Sequence, residues 1–285
     1  MLGSVSEAED VVQDAFLRHE LALADGVEVA SPKAYLSAVV TRRAIDQLRS
    51  ARVRRESYSG QWLPEPLLTD EGAGDPAAQA EQVDTLSMAF LLLLERLSPV
   101  ERAVFLLHDV FGYGYGEVAE VVGKTEANCR QLASRARRRV EEGRPRFEAT
   151  REARDALARR FFAAVADGDL DGLVALLADD VVVYGDGGGK VPQWSTPITG
   201  VDRVGRLLAG LGRKLPPYGA RIEVREVNGQ PGVVVRDRDG RVINVFAVDV
   251  AGGRVHAVRS VINPDKLRHL GEVADVWALL RERER

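Results

Sequence analysis

Residues 97–140, LSPVERAVFLLHDVFGYGYGEVAEVVGKTEANCRQLASRARRRV, constrain the fold of this chain most. The pattern reads as a helix, a short helix, a tight turn and a further helix ending in arginines. Ser98 caps the first helix, with Pro99 at the opening position where a backbone N–H is not needed. Val100, Val104, Leu107 and Val110 keep one apolar face, and Gly112 and Gly114 then break the chain. Val118, Ala119, Val121 and Val122 make the short helix apolar where it must pack, and Gly123 supplies the turn. Thr125 caps the last helix, with Asn128 three residues on. There Ala127, Leu132, Ala136 and Val140 are expected inward. Thr125, Asn128, Arg130, Gln131, Ser134, Arg135 and Arg138 are expected on the outer, DNA-facing side. Asn and Gln can bond adenine through two atoms, Arg can bond guanine, and Ser and Arg can hold phosphate. An arginine run alone is more often a solvated face. The cap, glycine turn, short partner helix and basic tail together favour a helix-turn-helix, with Asn128 and Gln131 placed to reach bases.

Composition does not advertise this. The chain has 285 residues, room for two or three domains, and a net charge of −4, so a basic face must be sought locally. Cys129 is the only cysteine; it excludes a disulfide framework and suits a reducing, cytoplasmic setting. It is read as a small packing residue. No apolar run reaches the roughly 18 residues of a membrane span, and no signal-peptide pattern opens the chain. His19, His108, His256 and His269 are scattered without metal-ligand spacing, and no phosphate-binding loop occurs, so no metal or cofactor is expected.

Three blocks and two linkers organise the chain. Residues 1–57 are helical: Val11, Val12, Ala15 and Phe16 form a stripe opposite Glu7, Glu9, Asp10 and Asp14, and Ser6 with Glu9 fits a capping box. Pro32 opens a second helix with Tyr35, Leu36, Val39, Val40, Ile45 and Leu48 at helical spacing, running into Arg49, Arg52, Arg54 and Arg55. Residues 58–76 are punctuated by Gly and Pro and read as a linker. Residues 77–147 are helical again and include the helix-turn-helix. Residues 150–285 begin with helices over 153–167 and 170–177. β-branched runs follow at 181–184, 222–227, 232–235, 242–249 and 254–262, which predicts an α+β domain with a curved antiparallel sheet.

Two phrases carry a resemblance. SEAEDVVQDAFLR (residues 6–18) and PKAYLSAVVTRRAIDQLRSARVRR (residues 32–55), set beside the helix-turn-helix, resemble extracytoplasmic-function sigma factors of the sigma-70 superfamily. The resemblance implies two all-α domains that recruit core RNA polymerase to promoter DNA, reading the −10 and −35 elements to start transcription. It places Glu9, Asp10, Gln13, Asp14 and Phe16 against the polymerase, and Arg42, Arg43, Asp46, Arg49 and Arg52 along the −10 element. The loop at residues 24–31 then lies where a flipped base is captured, which needs a pocket beside a basic surface. Such proteins carry a further helix ahead of residue 1. The resemblance therefore implies either a start assigned late or a missing first helix, with packing behind Val12, Phe16 and Leu36 incomplete.

Three further motifs narrow the resemblance to a subgroup with a fused C-terminal SnoaL-like domain. They are WLPEP (Trp62, Leu63, Pro64, Glu65, Pro66), DGGGK (Asp186, Gly187, Gly188, Gly189, Lys190) and NPDKL (Asn263, Pro264, Asp265, Lys266, Leu267). The resemblance implies that this α+β cone regulates the sigma domains in cis. WLPEP is a stiff, extended element with an aromatic anchor, and DGGGK admits the close approach of another backbone or an anion. We expect DGGGK or its neighbours to contact WLPEP. NPDKL is expected to cap a terminal helix carrying Leu267, Leu270, Val273 and Trp277. The competing reading is a small-molecule-sensing or catalytic SnoaL-like protein using its helical part as a DNA anchor. Its polar set would be Tyr184, Asp186, Lys190, Trp194 and His256. A Tyr or His on a strand is usually a packed residue, so we expect no enzyme and leave a ligand of the C-terminal domain open.

Overall fold

The computed structural model describes residues 1–56, 58–69, 87–143, 150–214 and 219–282, and the side chains of all these except residues 51–56, 143 and 282. The chain forms two compact units, Met1–Ser57 with Phe90–Arg144 and Tyr58–Ala89 with Pro145–Arg285.

In the first unit, α1 (Val5–Ala24) starts two residues earlier than Ser6 and Glu9 suggest. Ser4 has the extended backbone of a cap, and its hydroxyl accepts the Glu7 N–H, so Ser6 already lies within the helix. Helix α2 (Pro32–Glu56) follows. Leu2, Val11, Ala44 and Leu48 form one apolar cluster between them, whereas Val12, Phe16, Leu17 and Leu21 remain exposed. After α3 (Met88–Leu94), helix α4 (Pro99–Phe105) opens on a complete capping box between Ser98 and Glu101 and loosens into a π turn at Leu106–Val110. Helix α5 (Tyr115–Val122) stops at Gly123, whose φ of 66° suits a residue without Cβ, and α6 (Glu126–Gly143) follows. Val104, Leu107, Val118, Val121, Cys129, Leu132 and Ala133 pack together, beside a second cluster of Phe90, Leu94, Leu97, Phe105, Ala136 and Val140. Cys129 is fully buried, as its packing reading requires. Ala127 is exposed, contrary to expectation. At about 100° per residue it lies well off the stripe set by Leu132, Ala136 and Val140, and Cys129 and Ala133 fill that stripe instead.

The second unit packs α7 (Arg151–Asp167), α8 (Leu170–Leu176) and α9 (Val201–Gly212) with one sheet. Its strands are β1 (Leu177–Asp186), β2 (Ile198–Thr199), β3 (Arg221–Val227), β4 (Gln230–Arg236), β5 (Val242–Ala251) and β6 (Arg254–Val261), in the order β2-β1-β6-β5-β4-β3. The sheet is mixed rather than wholly antiparallel. Strands β1 and β6 run parallel, which the long connection through α9 and the β3–β5 meander permits. Helix α9 escapes the sequence pattern because Gly205, Gly210 and Gly212 read as breakers. A Cβ on Gly212 would lie 1.6 Å from the Val165 carbonyl, so here glycine permits close helix packing. Phe161, Leu173, Leu177, Val181, Val204, Leu208, Val233, Val248 and Val258 fill the core. Asn263 caps a short 3-10 turn (Pro264–Lys266), not the terminal helix. A second turn (Arg268–Leu270) ends at Gly271, and Val273 bridges to Val242. Of the expected apolar set only Trp277 lies on the terminal helix, α10 (Val276–Glu282).

Candidate nucleic-acid interface and linker clamp

Helix α6 exposes the whole expected DNA-facing set: Thr125, Asn128, Arg130, Gln131, Ser134, Arg135 and Arg138. Thr125 Oγ1 accepts the Asn128 N–H at 3.3 Å, which starts the helix. The arginines are pre-oriented by carboxylates: Arg130 by Glu126 at 2.7 Å and Arg138 by Glu142 at 2.9 Å. Glu101 holds two more, Arg139 at 3.0 Å and Arg135 at 3.4 Å. Burial alone would raise the Glu101 carboxyl. The bonds from Ser98 and the charges of Arg139 and Arg135 outweigh that and hold it below the usual range.

The α2 basic set is arranged differently. Arg42 donates from Nε to the Val121 carbonyl and from a terminal nitrogen to the Glu120 carbonyl, both at 2.9 Å, so it caps the end of α5. Arg43 pairs with Asp14 at 2.5 Å, and Arg18 joins at 2.9 Å. These bonds, the one from Arg43 first, hold the Asp14 carboxyl below its usual value. Asp46 pairs with Arg49 at 3.2 Å. The Arg52 side chain lies outside the described residues. Glu9, Asp10, Gln13 and Phe16 are exposed on α1, Phe16 by 55%. A hollow of about 490 Å³ lies beside residues 24–31, lined by Arg18, Leu21, Ala22, Asp25, Val27, Tyr35, Val39, Arg42 and Arg43.

The three short motifs meet in the second unit, at Asp186. This carboxylate ends β1 and is completely buried. Its Oδ1 accepts the Tyr58 hydroxyl at 2.5 Å and the Gly188 N–H at 3.0 Å. Its Oδ2 accepts the Leu63 N–H at 2.8 Å and the Lys266 ammonium at 2.7 Å. Lys266 also donates to the Leu63 carbonyl and lies 4.3 Å from the centre of the Trp62 ring. Asn263 Nδ2 donates to the Tyr58 hydroxyl at 2.8 Å. Burial, and then the bond to Asp186, raise the Tyr58 hydroxyl far above its ordinary value, so it stays a proton donor. Gly188 and Gly189 adopt φ of 63° and 69°. A Cβ on the first would lie 2.4 Å from Asn263 Nδ2, and on the second 2.7 Å from Ser59 Cβ. Lys190 pairs with Asp265 at 2.5 Å. Leu63, Pro64, Glu65 and Pro66 are all buried.

Four partners escaped the sequence reading. His269 Nε2 bonds the Pro66 carbonyl at 2.7 Å, so this nitrogen carries the hydrogen. Asn228 Oδ1 accepts the Leu67 N–H at 3.0 Å, and Asn228 N–H donates to the Leu67 carbonyl at 2.7 Å. Thr69 bonds Glu226 through its backbone and side chain, and Leu68 bridges Val227 antiparallel. Residues 67–69 thus pair along the end of β3. Only the Asn-Gly turn at 228–229 marks this place in the sequence.

The polar set of the catalytic reading is dispersed. Asp186 is taken up by the clamp, Lys190 by Asp265, and His256 lies 3.6 Å from Asp180. Tyr184 lies against Arg259, and only Trp194 of the five lines the large cavity of the unit. Among the described residues no cluster of His, Cys, Asp and Glu could hold a metal, and no helix is long and apolar enough to cross a membrane.

Family models match in three segments: Sigma-70 region 2 over residues 1–54, Sigma-70 region 4 over 87–140, and the SnoaL-like domain over 158–263. The chain is 39% identical over 275 residues to the ECF RNA polymerase sigma factor SigJ of Mycobacterium tuberculosis, covering 93% of this chain and 87% of that protein. It is 31% identical over 267 residues to a probable ECF RNA polymerase sigma factor, SigI, of the same species, covering 94% and 88%. The crystal structure of the M. tuberculosis factor SigJ superposes with a TM-score of 0.72 at 37% identity, over 93% of this chain and 91% of that one.

Proposed function

The chain belongs to the extracytoplasmic-function sigma factors, which bring core RNA polymerase to promoters and start transcription, and from that premise we propose that its C-terminal SnoaL-like domain controls this activity by gripping the interdomain linker. The burial of Asp186 between Tyr58, Leu63 and Lys266 carries the reading. A carboxylate with no exposure and four donors commits the linker backbone to the appended domain.

In this reading the exposed face of α6 reads the −35 element, with Asn128 and Gln131 on bases and Arg130, Arg135 and Arg138 on phosphates. The α2 face and the hollow beside residues 24–31 take the −10 strand and an unstacked base. Glu9, Asp10, Gln13 and Phe16 present the polymerase-binding face, with Asp14 first released from Arg43. The protein works in the cytoplasm, beside polymerase and chromosome, and performs no chemistry of its own. The packing in the first unit is a closed state. Elements centred 10 and 35 base pairs upstream lie about 25 base pairs, or about 85 Å, apart along B-form DNA. An α2 whose Arg42 caps α5 cannot serve both at once. The two readers must part on the promoter, and the clamp restrains the linker that joins them.

Run-off transcription with core polymerase tests this. Asp186→Asn and Lys266→Met in the full-length protein are expected to raise output several-fold at unchanged affinity for core polymerase. Unchanged output from both folded variants rejects control through the clamp.

A further inference from the structure

Burial divides helix α9 (Val201–Gly212) sharply. Val204, Gly205, Leu208, Ala209 and Gly212 are buried, whereas Arg203, Arg206, Arg213 and Lys214 are exposed. At about 100° per residue the four cations fall within about 100° of arc, with Gly210 among them. Asp202 is the only carboxylate of the helix and lies in its first turn, where it complements the positive end of the helix dipole. Among the described residues none of the four cations pairs with a carboxylate, and Arg213 alone has a partner, donating to the Gly168 carbonyl at 3.1 Å. The arginines of α6 differ: Arg130 and Arg138 are each held by a glutamate of their own helix. Gly210 adds a second observation. A Cβ there would meet nothing within 4 Å, so packing does not require a glycine, although one inside a helix costs stability relative to alanine. It leaves the helix backbone bare in the middle of the basic face.

We propose that this face binds the phosphate backbone of duplex DNA without reading its bases, which gives the C-terminal domain a DNA contact of its own. Charge selects a polyanion, and arginine, with its planar fork of donors, suits phosphate. Arg203 and Arg213 lie about 15 Å apart along the helix, the length over which one strand of B-form DNA carries about four phosphates. An anionic membrane would instead need an apolar face free to insert, and Val204, Leu208 and Ala209 are committed to the core of the domain. A chain whose family brings polymerase to promoters works beside such DNA. The inference needs neither the linker clamp nor the assignment of α6 to the −35 element.

Binding of the full-length protein to a labelled duplex, followed by fluorescence anisotropy over a range of salt, tests this. Arg203→Gln/Arg206→Gln should weaken binding roughly 3- to 10-fold on promoter and scrambled duplexes alike, and lower the salt slope by about 2. Gly210→Glu places a carboxylate on the same face in open space, should weaken binding at least as much, and carries the test if the double variant does not fold. An iron–EDTA chelate on Gly210→Cys should cut bound duplex, with Cys129 buried and silent. Unchanged affinity and salt slope in the folded variants, or no cut from the chelate, overturns the site. Vesicles of phosphatidylserine and phosphatidylcholine, and a single-stranded RNA, are the alternative polyanions. Either one bound more tightly than duplex, with that binding lost in the variants, overturns DNA as the occupant. None of these variants touches the clamp, so its control of transcription stands or falls separately.

Discussion

Asp186 and Lys266 show how much one buried pair can commit. Neither side chain reaches water appreciably, and each is bonded to linker backbone as well as to the other. Removing one partner strands the remaining charge, which costs about 3–5 kcal/mol, whereas removing both costs far less. Lys266→Met should therefore lower the unfolding free energy of the C-terminal unit more than the Asp186→Asn/Lys266→Met pair does beyond Asp186→Asn alone. Denaturant melts of the four proteins in the cycle give that coupling directly. The glycines beside Asp186 face a steric demand. Gly188→Ala puts a Cβ 2.4 Å from Asn263 Nδ2 at a φ of 63°, and should cost about 1–3 kcal/mol in the same melts. A stability unchanged by that substitution would mean the loop readily relaxes away from Asn263.

At the scale of elements, α6 presents exposed arginines, two of which are set by a neighbouring helix. Glu101 opens α4 through its capping box and at the same time holds Arg135 and Arg139 of α6. Its lowered carboxyl contributes stability that is present above the unfolded value of about 4.3 and fades as pH falls through the lower folded value. Glu101→Gln should flatten the acid limb of the stability profile of the helix-turn-helix and free Arg135, as chemical-shift changes on α6 would report. Base and phosphate contacts should separate in binding assays with promoter DNA. Asn128→Ala or Gln131→Ala should cost about 1–3 kcal/mol on the cognate −35 sequence and relax preference there. Arg138→Ala should weaken all sequences alike and reduce the salt slope by about 1. An Asn128→Ala effect equal on cognate and scrambled duplexes would remove that residue from base reading.

For the molecule as a whole, the proposed reading requires the first unit to open on the promoter. The sole cysteine is completely buried, and burial raises its thiol above the ordinary value, so it should resist labelling. Donor and acceptor dyes on Glu20→Cys and Glu141→Cys, both exposed, should then report the separation of α1 and α6 without background. Energy transfer is expected to be high in the free protein and to fall on adding core polymerase with promoter DNA. Transfer that stays high in an active initiation complex would contradict the closed-state reading. The hydrogen bond of 2.8 Å between Ser37 and Tyr113 helps hold that state, so Ser37→Ala should shift free molecules toward low transfer.

The sequence by itself determined the elements whose signals are local. A serine–proline start, a glycine stop and a 3.6-residue apolar stripe suffice to place the helix-turn-helix and its outward arginines. Hydrophobic period is a property of neighbours along the chain, and it failed where one alanine was read off phase, where glycines hid α9, where Val12 and Phe16 stayed exposed, and where Leu267, Leu270 and Val273 fell ahead of the terminal helix. The three motifs named the right linker and loops, because proline stiffness and glycine permissiveness are written in residue type. That DGGGK meets WLPEP was expected, but tertiary structure alone decided which atoms join them. Asp186 is an ordinary carboxylate until Tyr58 and Lys266, 128 and 80 residues away, close over it. Nothing in the spacing around Arg42 announces that α5 offers it two terminal carbonyls. The partner of a buried charge is chosen by topology and desolvation, which depend on which distant segments fold together, and no spacing along the chain encodes that choice.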